Sequence, residues 1–219
     1  MLLRPWRPLC WFLAALFPCL SGAADWELKY SKDGIAVYER PVPNVRVAEL
    51  KAIAQIDAPP ATCWNVIRDF EHYTETIPFV TESRILQVAP PRSFVYLRVN
   101  VGIPGVWERD YTIEVTDRSD PPGPQRSYRA AWRLANDAGP VESDGMIRVA
   151  LNQGTWEIAP SADGRGATAT YQLLVDPGGD LPAGLVRWAN ANGIPKLFAA
   201  IRNATKTPRY QTDEPGNSR

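Results

Sequence analysis

The stretch Tyr171-Gln172-Leu173-Leu174-Val175-Asp176-Pro177-Gly178-Gly179-Asp180-Leu181-Pro182 decides the fold. Its first residues alternate, with Tyr171, Leu173 and Val175 on one side of an extended chain, which is the period of a half-buried strand. Asp176-Pro177-Gly178-Gly179 then interrupts any regular element. From Leu181 to about Lys206 follows the only long helical pattern in the chain, with Leu185, Trp188, Ala189, Leu197, Ala200, Ile201 and Ala204 available for its buried face. A strand that turns directly into such a helix makes the helix the cover of a sheet. Within it lies Asn192-Gly193-Ile194-Pro195, where the proline removes a backbone hydrogen bond and crowds the carbonyl of Ala191, so a kink or hinge is expected.

Working outward, the chain offers many strands. Trp26 to Tyr30, Ile35 to Arg40 and Val45 to Ile56 read as the opening ones, with Asp33-Gly34 as a turn. Asp57-Ala58-Pro59-Pro60 opens a helix that runs to about Phe70, with Cys63, Trp64, Val66, Ile67 and Phe70 at helical spacing. Beyond Tyr73 to Pro78 the period returns to two. Strands are expected at 81–88, 93–101, 108–116, 127–134, 145–152, 155–158 and 167–175. So many strands with Gly/Pro-rich links imply an antiparallel sheet and an α+β class, not βαβ units.

The alternation also tells which face is dry. Tyr111, Ile113 and Val115 stand on one side of their strand, and Asp110, Thr112, Glu114 and Thr116 on the other, so one face is expected to meet water. Tyr128, Ala130, Trp132 and Leu134 repeat the pattern, as do Ile147, Val149 and Leu151. An antiparallel sheet with one dry face, covered by the long C-terminal helix, is the arrangement these faces predict.

The N-terminus carries Arg4 and Arg7, an apolar run from about Leu9 to Leu20, and then Ser21, Gly22, Ala23 and Ala24. That is the layout of a cleavable signal peptide over residues 1–24, with cleavage before Asp25 or one residue earlier. The apolar run is well short of the ~20 residues that cross a bilayer as a helix. Lipoprotein processing at Cys19 is disfavoured by Pro18 just before it. A periplasmic or secreted domain over residues 25–206 is therefore expected, with a polar, frayed tail over 207–219. Cys10 and Cys19 leave with the signal, so the exported chain keeps one thiol, Cys63, and can form no internal disulfide.

Without Arg4 and Arg7, 22 basic residues face 24 acidic ones, and no segment concentrates positive charge. Nucleic acid is not an expected partner. One histidine and one mature cysteine cannot build a metal centre at these spacings, so neither metal nor cofactor is expected. His72 could pair with Asp69 for acid–base work, but a surface or capping role is the plainer reading. Cys63, in an apolar Trp-flanked helix, reads as a buried structural thiol. No nucleophile elbow and no phosphate-binding glycine pattern occurs, so no enzyme is expected.

Three stretches together resemble a known family. Trp26-Glu27-Leu28 with Asp33-Gly34-Ile35-Ala36-Val37-Tyr38, the Arg109-Asp110-Tyr111 strand, and above all the Asp-Pro-Gly-Gly stretch before Leu181-Pro182 are similar to the START (steroidogenic acute regulatory protein-related lipid transfer) domains of the helix-grip superfamily. The resemblance covers nearly all of the mature chain. It implies a curved sheet wrapped around the long C-terminal helix, with an apolar tunnel between them that holds one lipid or other hydrophobic small molecule, gated by a loop and the last helix. Such a carrier must replace bilayer contact worth on the order of 12 kcal/mol for a 16-carbon chain.

On that resemblance the cavity is assigned to Tyr96, Arg98, Arg109, Tyr111, Ile113, Val115, Trp132, Leu134, Val149, Tyr171, Leu173, Leu185, Trp188 and Leu197. Tyr96 and Val115 stand where sterol-binding members place an acid and an arginine, so that charged pair is missing. Arg98, sharing the parity of Tyr96, either points inward toward a head group or is solvated at a strand end. Trp132 and Trp188 are expected to face each other across the space between sheet and helix. The apolar link Val101-Gly102-Ile103-Pro104-Gly105-Val106-Trp107 is assigned as the gate through Ile103, Pro104, Val106 and Trp107, touching a membrane transiently; the rival reading packs these residues under the last helix. A monomeric carrier or sensor follows, with a polyketide cyclase or aromatase-like enzyme and a protein-binding module as alternatives.

Overall fold

The computed structural model describes residues 25–123, 126–179, 181 and 183–211, with the backbone alone for 183–191. The expected signal peptide and residues 212–219 lie outside the described residues, as do the side chains of Leu185 and Trp188. Ten strands form one sheet: β1 Glu27–Lys32, β2 Ile35–Pro41, β3 Ala48–Ile56, β4 Val80–Ala89, β5 Arg92–Val99, β6 Glu108–Asp117, β7 Tyr128–Leu134, β8 Met146–Arg148, β9 Leu151–Pro160 and β10 Ala167–Asp176. Their order is β1-β2-β3-β10-β9-β7-β6-β5-β4, with β8 beside β6. The sheet is curved and antiparallel apart from the parallel β6·β8 pair, and register shifts within β1·β2 and β4·β5 mark bulges that bend its edges.

Helix α1, Pro60–Arg68, starts on two prolines without a side-chain cap, and the short α2 spans Tyr73–Thr76. Helix α3, Ala183–Ala204, runs as one element through Pro195. The core lies between the sheet and the two long helices. Ile194, Phe198, Ile201 and Ala204 of α3 meet Trp64, Val66 and Ile67 of α1 and the small inner residues Ala52, Ala54, Ala167 and Ala169. The far end of α3 is fastened. Arg202 donates to the carbonyls of Gln55 and Asp33, and the Tyr210 hydroxyl donates to Asp69 Oδ2 at 2.8 Å. Tyr210 is buried while Thr207, Pro208, Arg209 and Gln211 are exposed, so the start of the tail expected to fray is anchored through one side chain. An aromatic residue three positions beyond polar Thr207 is enough to bind the segment down.

Two expectations about strands are corrected. The break expected near Gln153-Gly154 falls instead at Val149-Ala150, and β9 continues through Gly154. Gly154 is a packing glycine: a Cβ there would sit 2.2 Å from the Gln172 carbonyl and 2.3 Å from the Trp132 ring. Likewise, the polar face of β6 does not meet water, since Asp110 and Thr112 are fully buried and Glu114 nearly so. The connection from β7 to β8 covers it. Arg148 donates Nε to Asp110 Oδ1 at 2.8 Å and Nη2 to Oδ2 at 2.9 Å, Tyr96 adds its hydroxyl at 3.0 Å, and the Arg148 Nη1 reaches the Pro140 carbonyl. Where β7 leaves β6 and β8 joins it, Asn136 accepts from the Thr112 amide and donates to the Val149 carbonyl, so the fork leaves no open backbone pair there.

Candidate functional site

Opposed residues of an antiparallel pair share a face, so the register sorts the candidates. Leu97 faces Tyr111, Ser93 faces Val115, Val115 faces Trp132, and Tyr171 faces Trp156. These side chains point to the concave face of the sheet. Above it α1, the segment from Phe70 to Phe79, the link 101–106 and α3 enclose a hollow of about 820 Å³. Close-packed interiors leave voids scarcely larger than a water, so this is space kept open.

Of the residues assigned from sequence, Arg109, Tyr111, Ile113, Val115, Trp132, Val149, Tyr171, Leu173 and Leu197 line the hollow. Tyr96 and Arg98 do not. Tyr96 faces Thr112 and Arg98 faces Asp110, which puts both on the convex side. There Arg98 pairs with Glu82 at 3.1 Å and approaches Glu108 at 3.9 Å. Counting from Arg109 without the strand register had placed Tyr96 on the face of Val115, and the true register separates them. Leu134 also stays out of the lining and packs against Val95, Leu97 and Ile113.

The link 100–107 is built as a turn. The Val106 amide donates to the Ile103 carbonyl at 3.0 Å, with Pro104 and Gly105 between them and Gly105 at φ +80°. This is the Pro-Gly pattern of a type II turn. Ile103 and Val106 thereby reach the hollow while Pro104 forms the bend and stays out of the lining, and Trp107 is 59% exposed beside a small side pocket.

The middle of the hollow is aromatic. Trp132 and Tyr171 stack at 5.7 Å, and Tyr171 lies 4.4 Å from Trp156. Asn152 accepts the Trp132 Nε1 hydrogen at 2.9 Å and bonds the Tyr111 hydroxyl, whose pKa burial pushes up to about 12. Burial also raises Tyr73 and Tyr171, so these phenols stay neutral and act as walls, not bases. Sequence reading misses Asn152, because the misplaced break hides its parity, and it misses Ile77 and Phe79, which carry no period between the helices; Phe70, read only as part of the first helix's apolar face, also lines the hollow.

One end of the hollow is polar. Arg46 grips Asp176 through two 2.5 Å bonds, and the Gly178 amide donates to the same carboxylate. Gly178 and Gly179, at φ +69° and +66°, turn the chain there, which explains the glycines of the deciding stretch. The Arg46 guanidinium holds the Asp176 carboxyl below its ordinary 3.8. Because its folded pKa lies below the unfolded one, its stabilisation is complete above the unfolded value and is lost as pH falls from there through the folded one. Asp176→Asn is expected to lower stability by about 0.2–1 kcal/mol at roughly pH 7 and to match wild type near pH 2, as read by thermal melts.

Elsewhere His72 Nδ1 lies 2.8 Å from Asp69 Oδ1, and Cys63 is buried with its thiol pKa pushed up by desolvation to about 12. Neither lines the hollow. Among the described residues no cluster of three metal-ligating side chains occurs.

The family described as polyketide cyclase / dehydrase and lipid transport matches residues 56–202. The chain belongs to this family. Within it, the chain is 28% identical to an uncharacterised protein of Pseudomonas aeruginosa over 84% of its own length and 88% of that protein's. It is 26% identical to the human phosphatidylcholine transfer protein, covering 85% of this chain and 86% of that one. Among solved structures, a STAR-related lipid transfer protein from Xanthomonas axonopodis superposes with a TM-score of 0.72 at 24% identity, over 83% of this chain and 99% of that one. Human StAR-related lipid transfer protein 5 gives 0.74 at 14% identity, over 85% and 88%. These likenesses establish the START, helix-grip fold for this member of the polyketide cyclase / dehydrase and lipid transport family.

Proposed function

We propose that the chain is an exported, non-catalytic carrier that holds one lipid or similar hydrophobic molecule in the hollow and exchanges it at a membrane surface. The observation that carries this reading is the apolar hollow of about 820 Å³ between sheet and helices, within the ~300–1,000 Å³ of sites that engulf small ligands. Kinship to proteins that transfer phosphatidylcholine supports a phospholipid-sized guest. The signal-like N-terminus supports work in the periplasm, as a monomer.

A non-catalytic role is favoured by what faces the hollow. Its phenols are held neutral by burial, Asp176 is engaged by Arg46, and His72 and Cys63 stand elsewhere. Among the described residues no base is poised next to a nucleophile at the hollow, which a cyclase reading would need. Ile103, Val106 and exposed Trp107 form the rim through which the guest would pass.

Vesicles containing a pyrene-labelled phosphatidylcholine test the reading. The purified mature chain is expected to withdraw the lipid at one molecule per protein. Ile103→Ser combined with Trp107→Ser removes apolar surface from the rim and should slow uptake about tenfold without shifting the melting temperature. A wild-type chain that withdraws no lipid, from these vesicles or from extracts of its own cell envelope, would refute the carrier.

A further inference from the structure

The guest's polar end has a place in the structure. Arg109 lines both the hollow and the side pocket under the rim, yet it is only 6% exposed. A guanidinium has five N–H donors. Here Nε donates to the Pro177 carbonyl at 3.3 Å and Nη1 to the Trp107 carbonyl, and the Nη2 amino group meets no protein acceptor among the described residues. No carboxylate among them pairs with it, and Asp176, which also lines the hollow, is held by Arg46. Every other arginine for which an ion pair is described sits with its acid, as Arg148 does with Asp110.

A buried cation without an anion is a costly arrangement unless something supplies the missing charge. Planar guanidinium groups match the two oxygens of a carboxylate or phosphate through paired hydrogen bonds. The geometry points to Arg109 as the seat of an oxyanion at the doorway of the hollow, with the phosphodiester of a phospholipid as the group it takes. The inference rests on the carrier reading and specifies its guest: amphiphiles bearing a phosphate are preferred over neutral ones with the same chains. The two carbonyls that Arg109 already holds belong to the rim link and to the loop before α3, so the seat lies where both loops meet. A head group bound there would point outward, with its chains running along β6 toward Val115 and Asp117.

The test is a ratio measured within each protein. Vesicles carry phosphatidylglycerol and diacylglycerol with identical acyl chains at equal mole fraction, and the lipids withdrawn by the mature chain are quantified by mass spectrometry. Wild type is expected to prefer phosphatidylglycerol by at least about tenfold, Arg109→Gln to show a ratio near unity, and Arg109→Lys to keep most of the preference. A ratio near unity in wild type, or the wild-type ratio surviving in Arg109→Gln, overturns the seat while leaving the carrier intact. If wild type withdraws neither lipid, the carrier reading falls and inorganic phosphate decides the seat. A rise in melting temperature in phosphate over chloride that vanishes in Arg109→Gln supports an anion seat for free phosphate, and no such difference overturns it.

Discussion

Asp110→Asn is expected to cost about 3–5 kcal/mol, a fifth or more of the ~5–15 kcal/mol stability of an ordinary domain. Asp110 is fully buried and takes both Arg148 donors and the Tyr96 hydroxyl, so the amide leaves the Arg148 guanidinium facing an –NH₂ group where its hydrogen-bonded carboxylate stood. The loss should exceed that of Asp110→Leu combined with Arg148→Met, because removing both charges leaves neither unpaired. Urea unfolding followed by tryptophan fluorescence measures all three. A single-variant cost below about 1 kcal/mol would mean that water reaches the pair and that the β7–β8 connection does not seal the convex face.

Filling the hollow produces the second large effect. Val115→Trp with Leu173→Trp places two indoles in the space between β6 and β10, and lipid loading should fall at least about tenfold. Stability should hold or rise, since each ring covers apolar wall that an empty hollow leaves without contacts. That opposite movement of loading and melting temperature separates occupancy of the hollow from general damage. Loading that persists at the wild-type level would show that the guest sits somewhere else.

Sequence reading recovered what local periodicity encodes. The strand faces of Tyr111, Ile113 and Val115, and of Tyr171 and Leu173, point to the hollow because alternation survives any tertiary arrangement. It failed where a distant segment decides. Asp110, Thr112 and Glu114 carry the polar pattern of a wet face, and only the connection that crosses them, pinned through Arg148 and Asn136, makes that face dry. Gly154 looks like a turn signal until Trp132 is seen lying on it.

Arg98 and Arg109 differ by the same kind of information. Both sit on strands near the same end of the sheet, and the β5·β6 register sends one outward and the other to the doorway. Nothing in their immediate neighbours carries that register. The apolar residues Ile77 and Phe79 were passed over for a related reason, since their contribution comes from their position over the sheet and not from a repeat of their own.

The fastening of α3 at its C-terminal end has a mechanical meaning. With Ile194, Phe198, Ile201 and Arg202 held in the core or against the sheet, the helix is a lever riveted along its C-terminal half, and at ~1.5 Å of rise per residue the stretch from Ile194 back to Ala183 is about 17 Å long. A tilt of about 10° about Ile194 carries Ala183 roughly 3 Å while the rivet moves hardly at all. Small rotations therefore shift the start of α3 by a few ångströms and leave the packed interior near Phe198 undisturbed.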